Sequence, residues 1–567
     1  MAHGGSTDAL EAPHQSAPAP LAMMARGDSQ TLMFDYIIVG GGAAGSVLAA
    51  RLSEDPRTSV CLVEAGPVDR SAFIHCPAGF ALMAQTGVAN WSFQSTPQPG
   101  LNGRRGYQPR GKVLGGSSSI NAMIYVRGQR EDYDHWAALG NPGWSWDDVL
   151  PYFKRAEHNE RGADAWHGRG GPLNVADLMQ PNRVSSLFVQ AAQQAGYPAN
   201  ADFNAEAQEG VGLYQVMQRG GERLSAAKAY LTPALGRPNL QVLTDATVAR
   251  ITFQGTRATG VEIVQGGATR TLQAQREVLL CAGALQSPQI LLRSGVGDAA
   301  HLQQHGIPTV HHLAGVGRHL HDHIDVTQVH AAPKATDLFG LSLTGAWHAL
   351  QGIWQWRTQR RGILTTNFGE AGGFIKSRPE EATPDLQFHF VIGKLVDHGR
   401  KTVFGHGFSC HICLLRPVSR GRVTLASADV HAPPAIDLGF LSERDDVDRL
   451  VRGFKLMREI LHQPALSALG GQELPASAAA QTDAQIETFL RNHADTIYHP
   501  VGSCRMGPGP EDVVDAELRV HGLQGLRVVD ASVMPRIVSG NTTAPTVMIA
   551  EKAADLIKTA QLSRLAA

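Results

Sequence analysis

The chain has 567 residues, 43% hydrophobic and 18% charged, with a formal net charge of −1. One core stops growing at roughly 250–300 residues, so two structural units, or a large domain with a cap, are expected. The balanced charge, without any Lys/Arg-rich tract, excludes the electrostatic footprint of a nucleic-acid binder.

Residues 1–33 are rich in Ala, Pro, Ser and Gly and lack a basic segment joined to a long apolar one. They read as a disordered tail rather than a secretory signal. No stretch reaches the roughly eighteen apolar residues of a transmembrane helix. Cys61, Cys76, Cys281, Cys410, Cys413 and Cys504 are too scattered for a disulfide framework and suit a reducing, cytoplasmic setting.

Phe34 to Val39 is a β-branched run ending in glycines, as a buried parallel strand should be. Ala44 to Ser53 has helical spacing, and Ser59 to Glu64 returns as a second strand. Between first strand and helix stands Gly40-Gly41-Gly42-Ala43-Ala44-Gly45, which fits GxGxxG. Gly40, Gly42 and Gly45 permit a tight turn and close approach of backbone N–H groups to a pyrophosphate, helped by the helix dipole. Glu64, nineteen residues after Gly45, is placed to hold an adenosine ribose and disfavours a 2′-phosphate. This unit binds a dinucleotide, but alone it does not distinguish FAD from NAD.

Further along, Leu240 to Ile251 and Arg276 to Ala282 read as strands. From about Ala331 to Arg491 the pattern alternates, as in Leu386 to Phe390 and Gly421 to Leu425, which predicts an antiparallel sheet with one face toward a cavity. Leu526 to Asp530 is one more parallel strand, and Pro545 to Ile557 a closing helix. Phe368, Phe388 and Phe390 are candidates for apolar walls, with core packing the plainer reading. His319, His321 and His323 form an HxHxH run, but no carboxylate or cysteine set completes a metal site. Cys410 and Cys413 form a lone CxxC on a predicted strand. No metal is expected.

Longer blocks carry a resemblance. Gly111 to Tyr125 (GKVLGGSSSINAMIY) and Gly283 to Gly297 (GALQSPQILLRSGVG) look like the two signatures of the glucose–methanol–choline (GMC) oxidoreductases. Tyr498 to Gly507 (YHPVGSCRMG), Val529 to Pro535 and Gly540 to Pro545 resemble further blocks of that family, in family order. The resemblance implies an α/β fold: a Rossmann-like FAD-binding domain on a parallel sheet, discontinuous over 34–330 and 492–560. An α+β substrate domain built on an antiparallel sheet, 331–491, is inserted, with part of 150–237 contributing to the cap.

It also implies FAD near Gly115, Gly116, Ser117, Asn121 and Ala122, with Val248 at the adenosine, Asp530 and Ala531 at the ribityl–pyrophosphate, and Pro545 and Thr546 at the isoalloxazine. Val248 reads equally well as a core residue. A helix start at Pro545 would favour negative charge on the reduced ring. Ile120 stands where some members carry a flavin-linked histidine, so the FAD is expected to be non-covalent.

Alcohol oxidation needs a base with a pKa near neutrality beside the substrate oxygen. Among 24 histidines, the resemblance singles out His499, with Asn541 as hydrogen-bonding partner; Asn541 as a turn residue is the plain alternative. The expected reaction is oxidation of a primary alcohol, aliphatic or aryl, with electrons leaving to a quinone, oxygen or a cytochrome. The resemblance to membrane-associated alcohol dehydrogenases adds peripheral contact at the inner face of the membrane. An NAD-dependent dehydrogenase or a non-catalytic dinucleotide-binding protein is the competing reading.

Overall fold

The computed structural model describes residues 32–397, 401 and 403–566. The expected tail, 1–33, lies outside these residues except for Leu32 and Met33, which already form the opening strand Leu32–Val39.

The first core is built on a seven-stranded sheet. Leu240–Leu243, Val60–Val63, Leu32–Val39, Ala268–Leu280 and Leu526–Val528 pair in parallel in that spatial order. Val60–Val63, Leu526–Val528 and residues 36–39 and 278–280 are buried on both faces, as strands between helical layers must be. Helix Ala43–Leu52 follows the first strand and packs against Thr543–Ala566, the long closing helix. The run expected as one strand from Leu240 to Ile251 is divided at Asp245, which has φ +53°. Beyond it Ala246–Gln254, Arg257–Gln265 and Ala268–Leu280 form an antiparallel meander attached to the parallel sheet.

The second core is built on an eight-stranded antiparallel sheet. Ile324–Ala331, Gly405–Leu414, Leu386–Val391, Ala371–Ile375 and Gly210–Leu213 lie side by side. Gly421 to Leu425, expected in this sheet, instead pairs separately with Ala435–Asp437. One face packs on helices Arg183–Gln194 and Arg444–Leu461. Phe388 and Phe390 lie on that face, Phe390 stacked on Phe188 with centroids 4.7 Å apart. Strand periodicity turns their neighbours Gln387 and His389 the other way. The phenylalanine walls proposed from sequence are therefore core, except that Phe368 is half-buried between Phe80 and Phe339. Cys410 and Cys413 fall in different clusters, on opposite sides of the strand, and all six cysteines are buried free thiols.

Candidate active site

The opening strand, the glycine turn and the helix behind it bound a cavity of about 690 Å³, within the roughly 300–1,000 Å³ of ligand and cofactor sites. Gly40, Gly42, Glu64, Gly116, Ser117, Val248, Asp530, Ala531 and Thr546 line it. Gly45, Gly115, Asn121, Ala122 and Pro545 do not, and serve instead to place those that do. A side chain at Gly45 would run into the Gly40 carbonyl, so helix and strand meet there. Gly115 N donates to Gly41 O at 2.7 Å, joining the two glycine loops. Asn121 is turned inward: its Oδ1 accepts from Arg223 Nη1 at 2.8 Å and Met123 N at 3.1 Å, and its Nδ2 donates to Thr543 Oγ1.

The cavity wall fits a long anionic cofactor. Gly42 and Gly116 face each other, and a Cβ on Gly116 (φ +53°) would sit 2.7 Å from Gly42 Cα. A Cβ on Gly42 meets no protein atom closer than 4.0 Å, so its bareness serves the open space in front of it. Gly283 likewise has nothing within 4 Å and lines the cavity. The closing helix starts at Thr543, two residues before the expected Pro545. Thr542, Thr543 and Thr546 line the cavity at this helix start, where free backbone N–H groups favour negative charge. Proline within the first turn forfeits no needed hydrogen bond.

Two carboxylates shape this wall from within. Glu64 Oε2 accepts from Gly41 N and Oε1 from Gly66 N, both at 2.8 Å. Burial pushes its pKa up to about 7 despite these bonds. Asp530 accepts from Gly283 N at 2.9 Å, Ser287 Oγ at 2.5 Å and Ser532 N at 2.8 Å, and burial raises its pKa as well. Each ties the backbone turns that line the cavity.

His499 and Asn541 each stand one residue from the cavity wall, beside Pro500 and Thr542. Tyr498, just before His499, is held at φ +73°, a conformation costing about 1–3 kcal/mol in a non-glycine residue. Arg110 Nη2 donates to Tyr498 O at 2.7 Å, Tyr498 N donates to Thr496 Oγ1 at 2.7 Å, and His499 N donates to Asp322 Oδ1 at 2.7 Å. These bonds over-determine the strained link and aim the ring. Burial brings the Arg110 guanidinium down to about 10 and the Asp322 carboxyl up to about 6.

The proton positions follow from the hydrogen-bond network. The Leu415 carbonyl only accepts, so His323 Nε2, 2.9 Å away, carries its hydrogen. Burial lowers the His323 pKa to about 4, so this ring is neutral near pH 7 and its Nδ1 is bare. That nitrogen lies 3.0 Å from His499 Nδ1, which must then donate. His499 Nε2 is left with its lone pair, 3.2 Å from Asn541 Nδ2. Gln387 Nε2 donates to Asn541 Oδ1 at 3.2 Å and so fixes which end of the amide faces His499. Burial, then His323, His389 and Arg110, hold the His499 pKa well below its ordinary value. The ring is a neutral base with its acceptor nitrogen selected.

The histidine run weighed as a metal motif does not converge. His319 Nε2 pairs with Glu511 at 3.1 Å, the His321 ring is buried with no hydrogen-bond partner among the described residues, and His323 meets His499. Sequence reasoning missed His323, Asp322, Arg110 and Gln387. Only His323 carried a signal, as the last member of that run.

The GMC oxidoreductase models match residues 34–325 for the N-terminal part and 417–550 for the C-terminal part. The chain is 47% identical over 528 residues to the alcohol dehydrogenase [acceptor] of Pseudomonas putida, covering 93% of this chain and 96% of that protein. It is 44% identical over 534 residues to an oxygen-dependent choline dehydrogenase of Escherichia coli, covering 93% and 96%. In structure it is similar to pyridoxine 4-oxidase from Mesorbium loti, with TM-score 0.82, 31% identity and coverage of 92% and 98%. A fungal aryl-alcohol oxidase gives TM-score 0.80, 25% identity and coverage of 93% and 99%. With matched blocks, cavity and fold in agreement, the chain belongs to the GMC oxidoreductases.

Proposed function

We propose that the chain oxidises a primary alcohol, aliphatic or aryl, to the aldehyde, with His499 as the base and Asn541 as its hydrogen-bonding partner beside the FAD. The chain is an FAD-dependent alcohol oxidoreductase, and the competing readings of an NAD enzyme or a non-catalytic binder give way to the family. When bound, the FAD supplies the hydride-accepting nitrogen and passes electrons to an external acceptor: a quinone, oxygen or a cytochrome.

The observation that carries the reading is the bare Nε2 of a neutral, buried His499 hydrogen-bonded to an amide donor. His499 takes the hydroxyl proton at Nε2, and the imidazolium formed keeps its Nδ1–H bond to His323 Nδ1. The Asn541 Nδ2–H turns to the substrate oxygen as negative charge develops there, since its Oδ1 is anchored by Gln387. Gly40, Gly42, Gly45, Glu64, Gly115, Gly116, Ser117, Asn121, Ala122, Val248, Asp530, Ala531, Pro545 and Thr546 hold the cofactor or the turns around it. The FAD is non-covalent: Ile120, where a linking side chain would stand, packs against Ile74, Met83 and Val113. The parallel-sheet unit binds FAD, and the antiparallel unit offers the substrate its polar face; this second unit is larger than the expected 331–491, since Gly210–Leu213, Ile324–Ala331 and Asp495–Thr496 also pair in its sheet.

No described helix is long and apolar enough to cross a membrane, and contact with the inner face of the membrane is peripheral in this reading. His499→Ala tests the chemistry. The variant should keep its yellow flavin while anaerobic reduction by alcohol slows by about 10²–10⁴-fold; an unchanged rate removes His499 from the reaction.

A further inference from the structure

Helix Leu343–Gln359 turns its apolar side outward. Its buried residues are Gly352 and Trp356, and Trp356 Nε1 donates to Gly221 O at 2.9 Å, pinning that side to the body. At about 100° per residue, Leu343, Trp347, Leu350 and Trp354 share an arc of roughly 60° opposite Gly352. They are 93%, 67%, 63% and 60% exposed. A surface helix of a globular protein points such a stripe at the core. Beside it the exposed Leu341 bridges Phe404, itself 79% exposed. A contiguous apolar patch of this kind marks an interaction surface.

The charge around the patch says what it meets. From residue 338 to 369 the sequence holds no Asp or Glu but has His348, Arg357, Arg360 and Arg361. Arg360 pairs with Glu222, whereas Arg357 and Arg361 are exposed and without a carboxylate partner among the described residues. Tryptophans amid aliphatic residues with a cationic rim are the composition of a helix lying in a lipid interface. No described helix is long and apolar enough to span a bilayer, and these 17 residues suit a helix lying in its plane.

We propose that this face seats the protein on an anionic lipid bilayer, with Trp347 and Trp354 at headgroup level, Leu343 and Leu350 in the acyl boundary, and Arg357 and Arg361 against lipid phosphates. The proposal rests on the peripheral contact read above and assigns it a surface. The chain just after the helix reaches the flavin block, where Asn367 Nδ2 donates to Ala122 O at 3.0 Å, so the docked face lies close in sequence to the cofactor wall.

Full-length holoenzyme is sedimented with vesicles of phosphatidylglycerol and phosphatidylethanolamine, and with phosphatidylcholine vesicles, beside the variant Trp347→Ser/Leu350→Ser/Trp354→Ser. The parent should pellet with the anionic vesicles and shift its tryptophan emission to the blue. The variant's partition should drop at least ~10-fold, while its dye-linked alcohol oxidation stays at the parent level. A parent that stays in the supernatant overturns both this proposal and the peripheral contact. Equal binding by the variant overturns this surface alone, and equal binding to neutral vesicles overturns the anionic partner. A concentration-dependent dimer that the variant lacks, without vesicle binding, assigns the face to a second copy and overturns the proposal.

Discussion

Replacing His323 by Phe tests whether the tautomer of His499 is set from behind. The substitution keeps a ring in the buried slot but removes the acceptor 3.0 Å from His499 Nδ1 and the donor to Leu415 O. In the competent tautomer the Nδ1–H is then orphaned, at about 1–3 kcal/mol for a buried donor. Moving that hydrogen to Nε2 relieves it, but Nε2 faces the Asn541 amide donor and is lost as a base. Since ~1.4 kcal/mol is a factor of ten, the competent population falls about 5- to 150-fold. Anaerobic reduction of the flavin by alcohol should slow by the same factor in a single-turnover stopped-flow experiment. Asn at 323 can place an amide oxygen near the lost Nδ1 and should restore most of the rate. Reduction by the Phe variant at the parent rate, or an Asn variant as slow as Phe, refutes the reasoning.

Gly42→Ala should leave the melting temperature of the flavin-free protein nearly unchanged, because the new methyl meets no protein atom within 4.0 Å. It should nonetheless lower the flavin-to-protein absorbance ratio. Gly116→Ala, forced against Gly42 Cα at 2.7 Å, should lower both. Glu64→Gln leaves one of the Gly41 and Gly66 N–H groups facing an amide donor. It should cost about 1–3 kcal/mol in urea denaturation and weaken flavin retention. The proton-accepting form of His499 is neutral and its folded pKa is depressed, so kcat/KM should be flat through pH 7 and fall only on acidification well below 6.5. A midpoint at or above 6.5 would contradict the burial that sets it.

The dinucleotide unit was legible because strand, glycine turn, helix and carboxylate are consecutive, and each carries a local signature of period or punctuation. His499 and Asn541 were candidates through the blocks around them, and the structure brings their side chains to 3.2 Å. What leaves His499 Nε2 bare was not legible, since His323 lies 176 residues away in the chain and Gln387 lies 154 from Asn541. Only the docking of two sheets brings these side chains together. Alternation marked Leu386 to Phe390 as a strand but could not tell which face meets helices. The apolar residues proved to be core, and the polar ones to face Asn541 and His499. Of the meander from Ala246 to Leu280 only the two ends read as strands; the stretch between them escaped because Thr, Gln, Arg and Gly, with Gly255 and Gly266 in left-handed turns, break up its apolar residues.

The chain of bonds from Gln387 through Asn541 and His499 to His323 and Leu415 draws members from both halves of the molecule. In the proposed mechanism, catalytic competence is thus a report on the assembly of the two sheets. A refolding molecule gains turnover only once those halves have mated, and the lag between ordering of the backbone and oxidation of alcohol measures how slowly they do.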